Sequence, residues 1–113
     1  MYLKKIKENW IWKEYIIPNI IKAKGETPVV RILDEVEYKN ELEKKLYEEY
    51  KEVIEATGDD RLEELADMLE VIRALAKLEN KDLNDIIEIA LIKNEKRGAF
   101  ETKIFLEKVI EAE

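Results

Sequence analysis

A near-mirror of acidic residues about one turn is the strongest constraint on how this chain can fold. Thr57-Gly58-Asp59-Asp60 reads as a tight connection. Gly58 can end one helix in the left-handed conformation, and an Asp can N-cap the next. Glu49 and Glu52 precede the turn, and Glu64 and Asp67 follow it. Each pair is spaced i, i+3, so both members project from one side of a helix. Tyr38, Leu42, Leu46, Val53 and Ala56 keep helical spacing, and Glu49 falls in the middle of that apolar stripe. After the turn, Glu64 and Asp67 lead into Val71, Ala74 and Leu78 along one row. At about 1.5 Å of rise per residue, Glu52 and Glu64 lie roughly 9 Å from the turn, and Glu49 and Asp67 roughly 14 Å. An antiparallel hairpin brings all four carboxylates to one level.

Acids that face one another in an apolar seam repel and resist ionisation unless a cation joins them. The pattern therefore predicts a metal site, with Glu49, Glu52, Glu64 and Asp67 as ligands. Oxygen-only ligation suits a hard divalent ion, Mg²⁺ or Mn²⁺, better than zinc. Chance is the competing explanation, because 42% of the residues are charged and 27 are acidic. It accounts well for a single pair on a solvated helix face. It accounts poorly for two pairs on apolar rows at matched distances. Glu48 and Glu63, one residue earlier in each helix, rotate about 100° outward, toward solvent or the edge of the site.

Composition limits the chemistry further. With neither histidine nor cysteine, Ser-His and Cys-His nucleophilic systems, disulfides and Cys-type zinc sites are excluded. Acid-base work falls to carboxylates, lysines or metal-bound water. A formal charge of −7 disfavours nonspecific nucleic-acid or anionic-membrane binding. The 113 residues, 46% of them hydrophobic, suit one ordered domain over residues 1–113, small enough that oligomerisation would help it. No apolar run approaches the roughly 20 residues that span a bilayer. The start, Met1-Tyr2-Leu3-Lys4-Lys5-Ile6, lacks a secretory apolar stretch, which makes the cytoplasm the expected location.

The predicted fold is mainly α, an antiparallel bundle of about four helices. A short helix after Pro18 runs through Asn19 to Lys24 and stops at Gly25. Long helices follow over 35–56, capped by Asp34, and over 60–79. Asp82 and Asp85 resemble a capping pair for a helix over 83–96 that ends at Gly98. Pro28 to Leu33 is a β-like run. Thr102 to Ile110 fits a strand pairing with 29–33 or a final helix, and a strand is favoured over 104–106. Residues 1–16 hold Trp10, Trp12 and Tyr15 in an aromatic stretch without a clean period.

Basic residues suggest a second half of the site. Lys45 lies one turn before Glu48 and Glu49, and Lys93, Lys96 and Arg97 crowd the end of the third long helix. Such cations complement a helix dipole, and they are also the groups that hold a polyphosphate.

In order along the chain, these segments resemble the MazG-like nucleoside triphosphate pyrophosphohydrolases, an all-α superfamily. The resemblance lies in Glu48-Glu49-x-x-Glu52 followed by Glu64-x-x-Asp67, with Ile17-Pro18, Pro28 to Asp34, Leu65 to Ile72, and Lys96-Arg97-Gly98-Ala99-Phe100-Glu101 through Glu107. The flanking segments are similar to a small phosphoribosyl-ATP pyrophosphohydrolase-like branch, over roughly residues 17–110. The resemblance implies Mg²⁺-dependent attack of water on the α-phosphorus of a nucleoside triphosphate, giving the monophosphate and pyrophosphate. It implies Glu49, Glu52, Glu64 and Asp67 as ligands, with Glu49 and Glu52 also catalytic. Lys45, Lys93, Lys96 and Arg97 would contact phosphate, and the assembly would be a homodimer or higher homo-oligomer. One segment departs from the branch, which carries Lys-Leu-Val-Arg-Asp-Lys before the Ile-Pro. Here Glu14 and Tyr15 replace its Arg and Asp. That departure keeps open a catalytically weak relative that binds a nucleotide or its metal. A helical oligomerisation module, with the acids on its surface, is the third reading.

Overall fold

The computed structural model describes residues 22, 24–27 and 29–112. Among them the chain forms three helices, α1 (Glu35–Glu55), α2 (Gly58–Leu78) and α3 (Leu83–Arg97). Asp34 begins α1 as expected, its carboxylate accepting the Glu37 N–H at 2.9 Å. Just upstream, the Arg31 guanidinium grips Glu37 in a fork, Nη2 to Oε2 at 2.6 Å and Nη1 to Oε1 at 3.2 Å. The hydrogen bonds and charge of Arg31 hold the Glu37 carboxyl down at about 2, and Glu37 in turn raises the Arg31 guanidinium.

Ala56 and Thr57 are the whole connector between α1 and α2. Gly58 has φ of 57°, the left-handed conformation its position predicts, but it already opens α2. The N-cap is Thr57, in an extended conformation, where an Asp was expected. Asp59 and Asp60 sit instead in the first turn of α2, where their charge complements the helix dipole. Arg61 then reaches back, its Nε–H shared between the carbonyls of Val53 and Ala56 at 3.1 and 3.0 Å. Those carbonyls close α1 and would otherwise lack donors. So tight a connector makes the two helices antiparallel neighbours.

α3 begins with the predicted capping box, Asp82 and Asp85 each accepting the other's backbone N–H. It ends where Gly98 takes φ of 80°. α3 packs on α2 and makes no contact with α1. Leu42, Val71, Ala76 and Leu83 form the buried apolar core, while Leu78, expected on the inner row, is exposed.

The bundle of about four helices is therefore, among the described residues, a hairpin with one attached helix. The predicted helix through 19–24 lies outside the described residues except at Lys22, which is helical and whose carbonyl accepts the Gly25 N–H at 3.0 Å, and Lys24, which is in a turn. The two-stranded element is corrected: neither 29–33 nor 104–106 forms a strand. Val29, Val30, Ile32 and Ile104 to Leu106 are exposed. β-branched residues favour an extended backbone, but a strand also needs a partner ladder, and an isolated pair of strands is marginal in water. Trp10, Trp12, Glu14 and Tyr15 lie outside the described residues. Among those described, no helix is long and apolar enough to cross a membrane.

Candidate metal centre

The hairpin buries acids where a helix pair ordinarily buries leucines. Glu49, on α1, is 1% exposed and is the one large side chain sealed this completely among the described residues. Glu64 and Asp67, from the facing rows of α2, are also buried. One carboxylate oxygen from each lies within 4.8 Å of the others. Oxygens on opposite sides of one Mg²⁺ are about 4.2 Å apart, and about 5 Å around the larger Ca²⁺. The trio is thus spaced on the scale of a single shared cation.

Sequence periodicity explains the convergence. Glu49 occupies the same stripe as Leu42, and Asp67 the same row as Val71, so each acid inherits a core position. The short connector then fixes their levels. Glu49 Oε2 and Asp67 Oδ2 are closed off from solvent, which removes the water that would otherwise separate like charges. The third reading of the sequence, with these acids on a surface, does not describe this hairpin.

Lys45, one of the four predicted phosphate contacts, does lie beside the carboxylates. It is buried, and its Nζ lies 3.3 Å from Glu49 Oε1 and 3.8 Å from Glu48 Oε2. Its i, i+4 and i, i+3 spacing to those acids was legible in the sequence, but its burial was not. Long lysine stems usually keep their ammonium in water, whereas this one is drawn into the acidic seam. Glu48 sits half-buried at the edge of the site and Glu63 is exposed, as their rotation predicts.

Glu52 is half-buried and outside the close trio. The predicted phosphate contacts Lys93, Lys96 and Arg97 are exposed on the second half of α3, a helix held to the hairpin through α2 alone. They are not gathered at the carboxylates. A cation near a helix C-terminus satisfies the dipole without any ligand, and nothing in their sequence distinguishes the two roles. Sequence reasoning also missed the Tyr47–Tyr50 stack, with centroids 6.2 Å apart, and Lys51 at 4.5 Å from the Tyr47 ring. Their i, i+3 and i, i+4 spacing was the available signal.

No protein-family model, curated protein or solved structure matches this chain.

Proposed function

We propose that this protein is a Mg²⁺-dependent nucleotide pyrophosphohydrolase, with Mn²⁺ as a substitute ion. It cleaves a nucleoside triphosphate or a phosphoribosyl-ATP-like nucleotide to the monophosphate and pyrophosphate. The observation that carries the proposal is the buried, converging trio of Glu49, Glu64 and Asp67. Its donors are all carboxylate oxygens, the set that fits a hard divalent ion. The MazG-like resemblance of the surrounding segments supplies the reaction.

Glu49, Glu64 and Asp67 would hold the ion, with Glu52 at the margin of the set. When bound, such an ion lowers the pKa of water and offsets charge on phosphate oxygens. In this reading half-buried Glu52 accepts the proton of the attacking water. Lys45 steadies Glu49 and adds positive charge where a phosphate would approach. Water forms a bond to the α-phosphorus as the bond to the bridging oxygen breaks, and pyrophosphate leaves. No side chain is needed as a covalent nucleophile. A homodimer or higher homo-oligomer completes the proposed assembly.

The test is a panel of triphosphates with Mg²⁺, read by pyrophosphate release in ¹⁸O-labelled water. The label is expected in the monophosphate. Label in pyrophosphate, or release of orthophosphate with a diphosphate, would reject the assigned reaction.

The exposed positions of Lys93, Lys96 and Arg97 favour one second reading, a relative that binds metal or nucleotide without turnover. It predicts a Mg²⁺-dependent rise in Tm with no pyrophosphate from any substrate.

A further inference from the structure

Beyond Gly98 the chain inverts the ordinary rule for apolar residues. Phe100, Ile104, Phe105, Leu106, Val109 and Ile110 are 73–99% exposed along an arm without regular structure. The hairpin carries a second exposed apolar surface. Tyr50 follows buried Glu49 by about 100°, and Leu65 follows buried Glu64 by the same rotation. Two antiparallel helices turn in opposite senses when viewed from one end, so these following residues fall on the same flank. Glu48 and Glu63, which precede the buried acids, fall on the other. Tyr50 lies six residues before the connector and Leu65 eight after it, within one helical turn of the same level, and Ile54 and Leu69 extend their rows. All four are exposed. The hairpin thus has an acidic flank and an apolar flank.

We propose that the arm, residues 100–110, docks on the apolar flank of a second copy of this chain, reciprocally, to form an arm-exchanged dimer. The proposal rests on no part of the metal reading.

Two observations favour a second copy. From Ile87 to Arg97 every residue of α3 is exposed, so α3 holds the start of the arm off the hairpin. The areas also match. At roughly 60–120 Å² for an aliphatic side chain and roughly 150 Å² for Phe, one arm offers on the order of 600 Å² of apolar surface. Two arms with the flanks they cover then bury about 1,500–2,000 Å², the size of a stable interface. Exchange of identical segments also closes the assembly, leaving neither surface exposed.

Light scattering on the full chain in chelator tests the proposal, and a dimer is expected at micromolar concentration. Phe105→Glu with Ile110→Glu on the arm, and separately Tyr50→Glu with Leu65→Glu on the flank, should each give monomers of unchanged helicity. Each pair should raise the dissociation constant at least about a hundredfold. Mixed one to one, the two variants should associate more tightly than either alone, because one of the two arm–flank contacts is intact in the mixed dimer. A monomeric wild type, a dimeric arm variant, or a mixture that associates no more tightly than the separate variants would each overturn the proposal. The arm variant keeps the test decisive even where the flank variant fails to fold.

Discussion

The hairpin seam and the arm after Gly98 exchange the usual places of charge and oil. The seam encloses Lys45, Glu49, Glu64 and Asp67, while the arm leaves two phenylalanines and four aliphatic residues in solvent. Helical period and a tight connector impose the first inversion, because an acid on the inner row has nowhere else to point. The second arises because no described residue covers the arm's apolar side chains. Each inversion marks a place where a single copy without ligands is incomplete, and the missing pieces differ in kind. In the proposed states a divalent cation fills the seam and an apolar partner covers the arm.

The largest expected effect tests the seam. Asp67→Asn and Glu49→Gln should each reduce Mg²⁺-dependent pyrophosphate release at least about a thousandfold, since several kcal/mol of charge stabilisation would be lost. Their stabilities in chelator should diverge. Asp67→Asn removes one of several like charges and should raise the urea midpoint or leave it unchanged. Glu49→Gln takes from buried Lys45 the nearer of its two carboxylates and should lower stability by about 1–3 kcal/mol. Equal shifts in the two variants would contradict separate roles for these acids, and wild-type turnover in both would remove the metal site.

A smaller effect tests what sets the register of the seam. Arg61→Ala leaves the last carbonyls of α1 without their charged donor and should cost about 1–2 kcal/mol in urea unfolding. Loss of metal-dependent stabilisation in the same variant would show that the clip aligns the carboxylates. No change in either quantity would leave the connector itself as the source of alignment.

The smallest effect supplies an exposed reference for the buried pair. Glu37 should titrate by NMR near pH 2, as the Arg31 fork dictates. Its folded pKa is depressed, so its stabilising contribution is present above the unfolded glutamate value of about 4.3 and is lost as pH falls toward 2. Arg31→Gln should return the carboxyl toward its ordinary range. A Glu37 titration that stays near 2 in that variant would assign the shift to Asp34 and the helix N-terminus.

How much of this was readable from the sequence depended on whether the signal was local. Asp34, the Asp82–Asp85 box and Gly98 act within a few residues, and each bounds a helix where its chemistry predicts. The convergence of Glu49, Glu64 and Asp67 was also accessible, because both helix phases are counted from one turn. Glu52 stands outside the close trio although its i, i+3 spacing from Glu49 equals that of Asp67 from Glu64, so spacing alone does not separate the two cases. The β element depended on 29–33 meeting 104–106, a long-range pairing that no local preference fixes. Lys93, Lys96 and Arg97 depended on the direction of α3 relative to α1, which the Leu78–Leu83 connection does not encode.

The shortness of the link through Ala56 and Thr57 has a kinetic consequence. Every member of the acidic trio lies on one of two consecutive helices, so closing this site requires only a small loop to form. Contacts so near in sequence form early in folding, and a chain dominated by them folds quickly. A nascent hairpin can therefore bring its carboxylates together before α3 and the arm are in place. Free divalent ions would then act on the order of assembly as well as on the finished molecule, by favouring the earliest structure that can hold them.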